Sequence, residues 1–130
     1  MRVYYLEEPL SDGDLAFVAG AFGLPTAPEQ VRIPYVLPIL AHDRDYEEQA
    51  AAHEQLIRGH LRRAGIAKEH GQVFLVAPTD LHWHSVLIRA VRAETGAYPY
   101  LVQTSAQRAA IGNPGSTRIL DAQGLMGLKS

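Results

Sequence analysis

The run Val73-Phe-Leu-Val-Ala-Pro-Thr-Asp-Leu-His-Trp-His84 constrains the fold more than any other stretch of the chain. Val73 to Ala77 is continuously apolar, too short for an independent helix and suited to a strand covered on both faces. Pro78 stops it. Thr79 or Asp80 then caps a helix beginning near Leu81, and Leu87, Ile88 and Val91 carry its apolar stripe towards a stop at Gly96. A buried strand feeding a capped helix is the repeating unit of open parallel α/β sheets. In such sheets ligands bind beyond the carboxyl ends of the strands, beside helix N-termini. His82 and Trp83 fall at that end of the unit.

The remaining segments alternate in the same manner, without a linker or an internal repeat, so residues 1–130 read as one domain. Val3 to Leu6 forms a first strand, and Ser11 or Asp12 caps a helix that runs to about Phe22 and closes at Gly23. Val31 to Leu40 reads as a second strand, in which Pro34 and Pro38 imply an edge position or irregular ends. From Asp43 or Asp45 to Ala64 the pattern is helical, with an Asp45–Glu48 capping box, an inner face of Leu56, Ile57 and Leu61, and a stop at Gly65. Tyr98 to Thr104 is a fourth strand, Ser105 to Gly115 a polar connection with one helical turn, and Arg118 to Asp121 a last strand. The order β-α-β-α-β-α-β-β predicts an α/β fold. Its expected form is a Rossmann-like three-layer sandwich, with a mainly parallel central sheet and a short antiparallel C-terminal edge.

Composition narrows the function classes. A formal charge of −2 and a pI near 6.3 argue against a protein that coats DNA, RNA or anionic membrane by bulk electrostatics, because those surfaces select a basic excess. Zero cysteines exclude disulfides, thiol nucleophiles and the usual structural zinc sites together. The first residues lack the apolar core of a signal peptide and no apolar run approaches ~18 residues, so a cytoplasmic protein is expected. The chain has no GxGxxG after its first strand, no GxxxxGK[ST] and no GxSxG. Dinucleotide oxidoreductases, P-loop NTPases and α/β-hydrolases therefore lack their mechanical parts here.

The histidines separate by position. His82 and His84 are two residues apart on a helix, about 200° around its axis, so they cannot chelate one metal as an i, i+4 pair would. His84 shares the stripe of Leu87, Ile88 and Val91 and reads as a packed, hydrogen-bonded residue. His82 lies in the first turn near the expected mouth, where an imidazole either simply faces solvent or donates to a phosphate or exchanges a proton near neutral pH. His42-Asp43 lacks the further ligands of a metal-dependent phosphohydrolase. His53 and His60, with Glu47 or Glu54, read as a solvated or half-buried helix face, and no metal or other cofactor is expected.

Polar side chains gather after three strands: Glu7, Glu8 and Ser11 after the first, Thr79, Asp80, His82 and Trp83 after the third, and Gln103, Thr104, Ser105, Gln107 and Arg108 after the fourth. Taken singly, Ser11, Thr79 and Thr104 read as capping and turn chemistry. Together the set suits a nucleotide, with hydroxyls and helix N–H groups for phosphate or ribose, amides for base edges, and Trp83 as a stacking face.

The short first strand with Glu8-Pro-Leu-Ser-Asp12, the Val-Ala-Pro-Thr-Asp turn, the Glu94-Thr-Gly-Ala-Tyr-Pro-Tyr-Leu segment and the terminal Arg118-Ile-Leu-Asp-Ala-Gln123 carry a resemblance. In these features the chain resembles small stand-alone CRISPR-associated proteins of Rossmann-like fold related to the CARF domain. That resemblance implies a homodimer binding a cyclic oligoadenylate, with cyclic tetra-adenylate favoured, across its two-fold axis. It also implies metal-independent ring cleavage in several such families, by attack of a ribose 2′-hydroxyl on the adjacent phosphate. His82 is the candidate catalytic residue, and Glu8, Ser11, Thr79, Asp80, Trp83, Gln103, Thr104, Ser105 and Arg108 are the candidate ligand-binding set. A non-catalytic protein that sequesters the messenger, and an unrelated nucleotide or sugar-phosphate enzyme of the same fold, are the alternatives.

Overall fold

A computed structural model describes residues 2–38, 46–66, 73–80, 82–110, 112, 115 and 117–122. The elements run β1 (Arg2–Tyr5), α1 (Asp12–Ala21), β2 (Glu29–Arg32), α2 (Tyr46–Arg63), β3 (Phe74–Val76), α3 (His82–Thr95), β4 (Tyr100–Gln103), α4 (Ser105–Ala110) and β5 (Arg118–Asp121). They form a five-stranded sheet in the order β2-β1-β3-β4-β5. All pairs are parallel except β4–β5, which is antiparallel with Gln103 opposite Arg118. The fold is the expected α/β sandwich with its antiparallel edge.

β3 lies at the centre of the sheet, and all three of its residues are buried. An unbroken apolar run fits that place because helices cover both faces of the sheet there. The pleat then sorts the strand residues by side. Tyr4, Leu75 and Leu101 join Ile57, Leu61, Leu87 and Val91 in the cluster beneath α2 and α3. Val3, Phe74, Val76 and Val102 join Leu10, Val18 and Phe22 beneath α1. Successive residues on one strand thus serve opposite layers.

The helix ends follow the residues that can satisfy them. Ser11 caps α1, its hydroxyl accepting the Asp14 N–H at 3.2 Å. At the other end Gly23 adopts φ 63°, and the Gly23 and Leu24 N–H groups reach back to the carbonyls of Gly20 and Ala19, a Schellman closure that a Cβ would strain. Gly96 closes α3 in the same left-handed region, at φ 79°.

Several expectations shift. The second strand stops at Arg32 and begins at Glu29, two residues before the expected start. Pro34 and Pro38, which have no N–H to give a ladder, lie beyond it in an irregular segment. β2 is nevertheless the edge strand. Leu56 is 56% exposed rather than on the inner face of α2, where Ile57 and Leu61 are buried. The connection after β4 holds a full element, α4, because Thr104 and Gln107 form a reciprocal capping box. The Gln107 N–H donates to Thr104 Oγ1 at 3.0 Å, and Gln107 Oε1 accepts the Thr104 N–H at 2.9 Å. Asp43, Asp45 and Leu81, proposed as helix-start residues, and Gln123 lie outside the described residues.

Candidate functional site

The order 2-1-3-4-5 places a topological switch point between β1 and β3, where the chain's connections leave to opposite sides and the loops diverge into a crevice. A cleft of about 710 Å³ opens at that place, lined by the loop after β1 (Leu6 to Pro9, with Ser11 and Asp14 of the α1 start), the end of β3 (Val76 to Thr79) and the start of α4 (Thr104 to Gln107). Its volume lies in the range of small-molecule sites. Val76 of the lining belongs to the layer beneath α1, whereas Leu6 and Ala77 belong to the opposite layer, so the cleft opens over the strand ends, with the starts of α1 and α4 supplying its polar wall.

Two hydroxyl–carboxylate pairs shape its walls. The Ser11 hydroxyl donates to Asp14 Oδ2 at 2.8 Å. Across the mouth, the Thr79 hydroxyl and N–H donate to Glu7 Oε2 at 2.9 and 3.1 Å, tying the β1 loop to the β3 loop. Asp14 is 5% exposed and also accepts the Thr117 hydroxyl and, at 3.5 Å, the Ser105 N–H. Burial pushes its carboxyl upward, but the bonds from Thr117, Ser11 and Ser105 outweigh that and hold it below its ordinary value. The Gln107 amide donates to the Ala77 carbonyl at 2.7 Å, joining α4 to the end of β3. Behind the β1 loop, the Gln30 amide exchanges two hydrogen bonds with the Leu10 backbone, at 2.7 and 3.2 Å.

Of the ten candidate site residues, Glu8, Ser11, Thr79, Thr104 and Ser105 line the cleft, and Asp80, His82, Trp83, Gln103 and Arg108 do not. The separation has one main cause. Trp83 belongs to α3, on the side of the sheet opposite α1, and Gln103 alternates away from Val102, which faces α1. Trp83 is 1% exposed, its indole N–H donates to the Pro38 carbonyl at 2.9 Å, and the His53 ring meets it edge-on. Its faces are committed to the core, which corrects the expectation of a base-stacking platform. His82 is exposed, and its backbone N–H and Nδ1 both bond Asp80 Oδ1, at 3.0 and 2.8 Å, so Asp80 caps the α3 start as expected. His84 is half-buried and donates from Nε2 to the Pro78 carbonyl at 3.0 Å. Arg108 lies against Gly115, where a Cβ would stand 2.7 Å from Nη1.

Asp14, Glu7 and Gln107 are the principal wall residues that the candidate set omitted. Glu7 and Gln107 were visible as mouth residues. Asp14 carried one sequence signal, its place three residues after Ser11, which makes it the reciprocal partner of an N-cap. The histidine pair on α2 has protein partners: His53 Nδ1 bonds the Tyr35 hydroxyl, and His60 Nδ1 accepts from Arg63 at 3.0 Å. Glu54 accepts from Arg89. Among the described residues no group of histidines and carboxylates could hold a metal ion, and His42 lies outside them. No described helix is long and apolar enough to cross a membrane.

Comparison with known protein families, with curated proteins and with solved structures finds no match.

Proposed function

We propose that this chain is a nucleotide-binding domain that receives one nucleoside unit in the switch-point cleft, with a cyclic oligoadenylate, shared between two copies, as its ligand. One observation carries the reading: a cleft of nucleoside-accommodating volume at the β1/β3 switch point, walled by hydroxyls and carboxylates from three strand ends. Carboxylates beside a switch point are suited to ribose hydroxyls, which they accept as hydrogen bonds. The resemblance described above supplies the identity of the ligand. A symmetric ring calls for a two-fold partner, and α1 supports one. The helix borders the cleft, and from Gly13 to Leu24 its only charged side chain, Asp14, is buried. Phe17 on its outer side is 41% exposed. A helix apolar on its outer side as well as its inner side is suited to burial against a second copy.

In the cleavage reading, a 2′-hydroxyl gives up its proton as its oxygen attacks the neighbouring phosphorus, the P–O5′ bond breaks, the 5′-oxygen takes a proton and a 2′,3′-cyclic phosphate forms. Alignment of the 2′-hydroxyl supplies most of the acceleration. His82 is the proposed proton carrier; because it does not line the cleft, it would act on the part of the ring that lies outside it.

Thermal denaturation with cyclic tetra- and hexa-adenylate tests binding. A ligand at a hundredfold excess over its Kd raises Tm by roughly 10 °C for a domain of this size. No rise with either ring defeats the proposal. Chromatography of the incubated ring separates cleavage from sequestration, and His82→Ala separates chemistry from recognition. Loss of cleavage with retained binding assigns the imidazole to proton transfer, and retention of both removes it from the mechanism.

A further inference from the structure

The donors around the cleft are largely committed to the protein itself. The N–H groups of Leu10, Asp14, Thr79, Thr104 and Gln107 end on Gln30, Ser11, Glu7, Gln107 and Thr104 respectively. Ser11 and Thr79 direct their hydroxyl protons at carboxylates, so toward the cleft they present lone pairs. One N–H of the Gln107 amide is taken by Ala77. Asp12 and Asp14 occupy the first turn of α1, where their charge offsets the positive end of the helix that an anion would otherwise use. The lining holds three carboxylates, Glu7, Glu8 and Asp14, and no Lys, Arg or His among the described residues.

From this we infer that the cleft is an acceptor-dominated recognition site. It takes the hydrogen-bond-donating, non-anionic end of a ligand through amino and hydroxyl groups, and it holds phosphate outside. Applied to the proposed function, on which this assignment to nucleosides rests, the base amino group and ribose hydroxyls enter while the phosphates stay at the rim. The acceptor character itself rests only on the lining, and it extends to an ammonium or guanidinium group. Glu8 sets the rim charge: it is exposed and makes no hydrogen bond or ion pair with another described residue.

The test is a thermal-shift titration of the full chain with adenosine, ATP and agmatine, repeated in Glu8→Gln and Glu8→Lys. The expected result is tighter binding of adenosine than of ATP. Each unit of charge moved at Glu8 should shift that preference towards ATP about threefold, the effect of one charge roughly 6 Å away in water. Ligand-free melting curves verify that both variants fold. ATP binding as tightly as adenosine in the unaltered chain, with no response to Glu8→Lys, overturns the inference and leaves the nucleotide reading standing. Binding of agmatine without adenosine keeps the acceptor assignment and overturns the nucleoside one. Silence from all three probes overturns the inference itself.

Discussion

The hydroxyl of Thr117, at the foot of β5, donates to the carboxylate of Asp14 on α1, 103 residues earlier in the chain. Thr117 directly precedes Arg118, the partner of Gln103, so the bond joins the antiparallel edge of the sheet to the wall of the cleft. Thr117→Val keeps the shape and removes the donor. We expect a loss of about 1–3 kcal/mol, because a buried carboxylate is left short of a hydrogen bond. Urea denaturation measures it, and Thr117→Ser should restore most of the loss. Equal destabilisation by Val and Ser would assign the effect to packing instead.

Acid should weaken the fold through two carboxyls. Asp14 lies below its ordinary 3.8 despite its burial, owing to Thr117, Ser11 and Ser105. Glu94 lies below its ordinary 4.5, chiefly through the Arg62 hydrogen bond, with Arg58 adding to it. A folded value depressed below the unfolded one contributes stability that is complete above the unfolded value. It is lost as pH falls from there through the folded value. Urea midpoints should therefore be steady near neutrality and decline below about pH 4.5, the ordinary Glu94 value. Asp14→Asn and Glu94→Gln should each flatten that decline, and an unchanged slope in both would rule the two groups out as its source.

Trp83 is the sole tryptophan and is buried in the layer of α2 and α3, outside the cleft lining. Its fluorescence should be blue-shifted and insensitive to a ligand in the cleft, while reporting unfolding fully. Trp83→Phe leaves the Pro38 carbonyl without its donor and should cost about 1–2 kcal/mol. Strong quenching by a bound nucleotide would place the ligand elsewhere.

The two neighbouring histidines should divide cleanly. His84→Ala removes the bond to the Pro78 carbonyl that holds the turn after β3, and should cost about 1 kcal/mol. His82→Ala, on an exposed side chain paired with Asp80, should change stability by less than about 0.5 kcal/mol. Chemical denaturation of the two variants side by side settles the order.

Periodicity made the layers legible. Val73 to Ala77 read as a doubly covered strand, and Gly23 and Gly96 fall just past the ends of α1 and α3; β2 is an edge as expected, although the prolines that suggested it lie beyond the strand. The site was half legible for a physical reason. Sequence position says which end of a strand a residue occupies, but the side of the sheet follows from the pleat and from which helix crosses where. Glu8, Ser11, Thr79, Thr104 and Ser105 share the cleft, whereas Trp83 and Gln103 share an end only. Thr117 was invisible as a support of the wall because nothing local links it to Asp14.

The bonds from Thr79 to Glu7, Gln107 to Ala77 and Ser11 to Asp14 bear on the kinetics of recognition. A mouth already stitched together loses little conformational freedom when a ligand enters, so association should proceed in one step, at a rate set by diffusion and rim charge. Discrimination between ligands would then appear in how long each one stays.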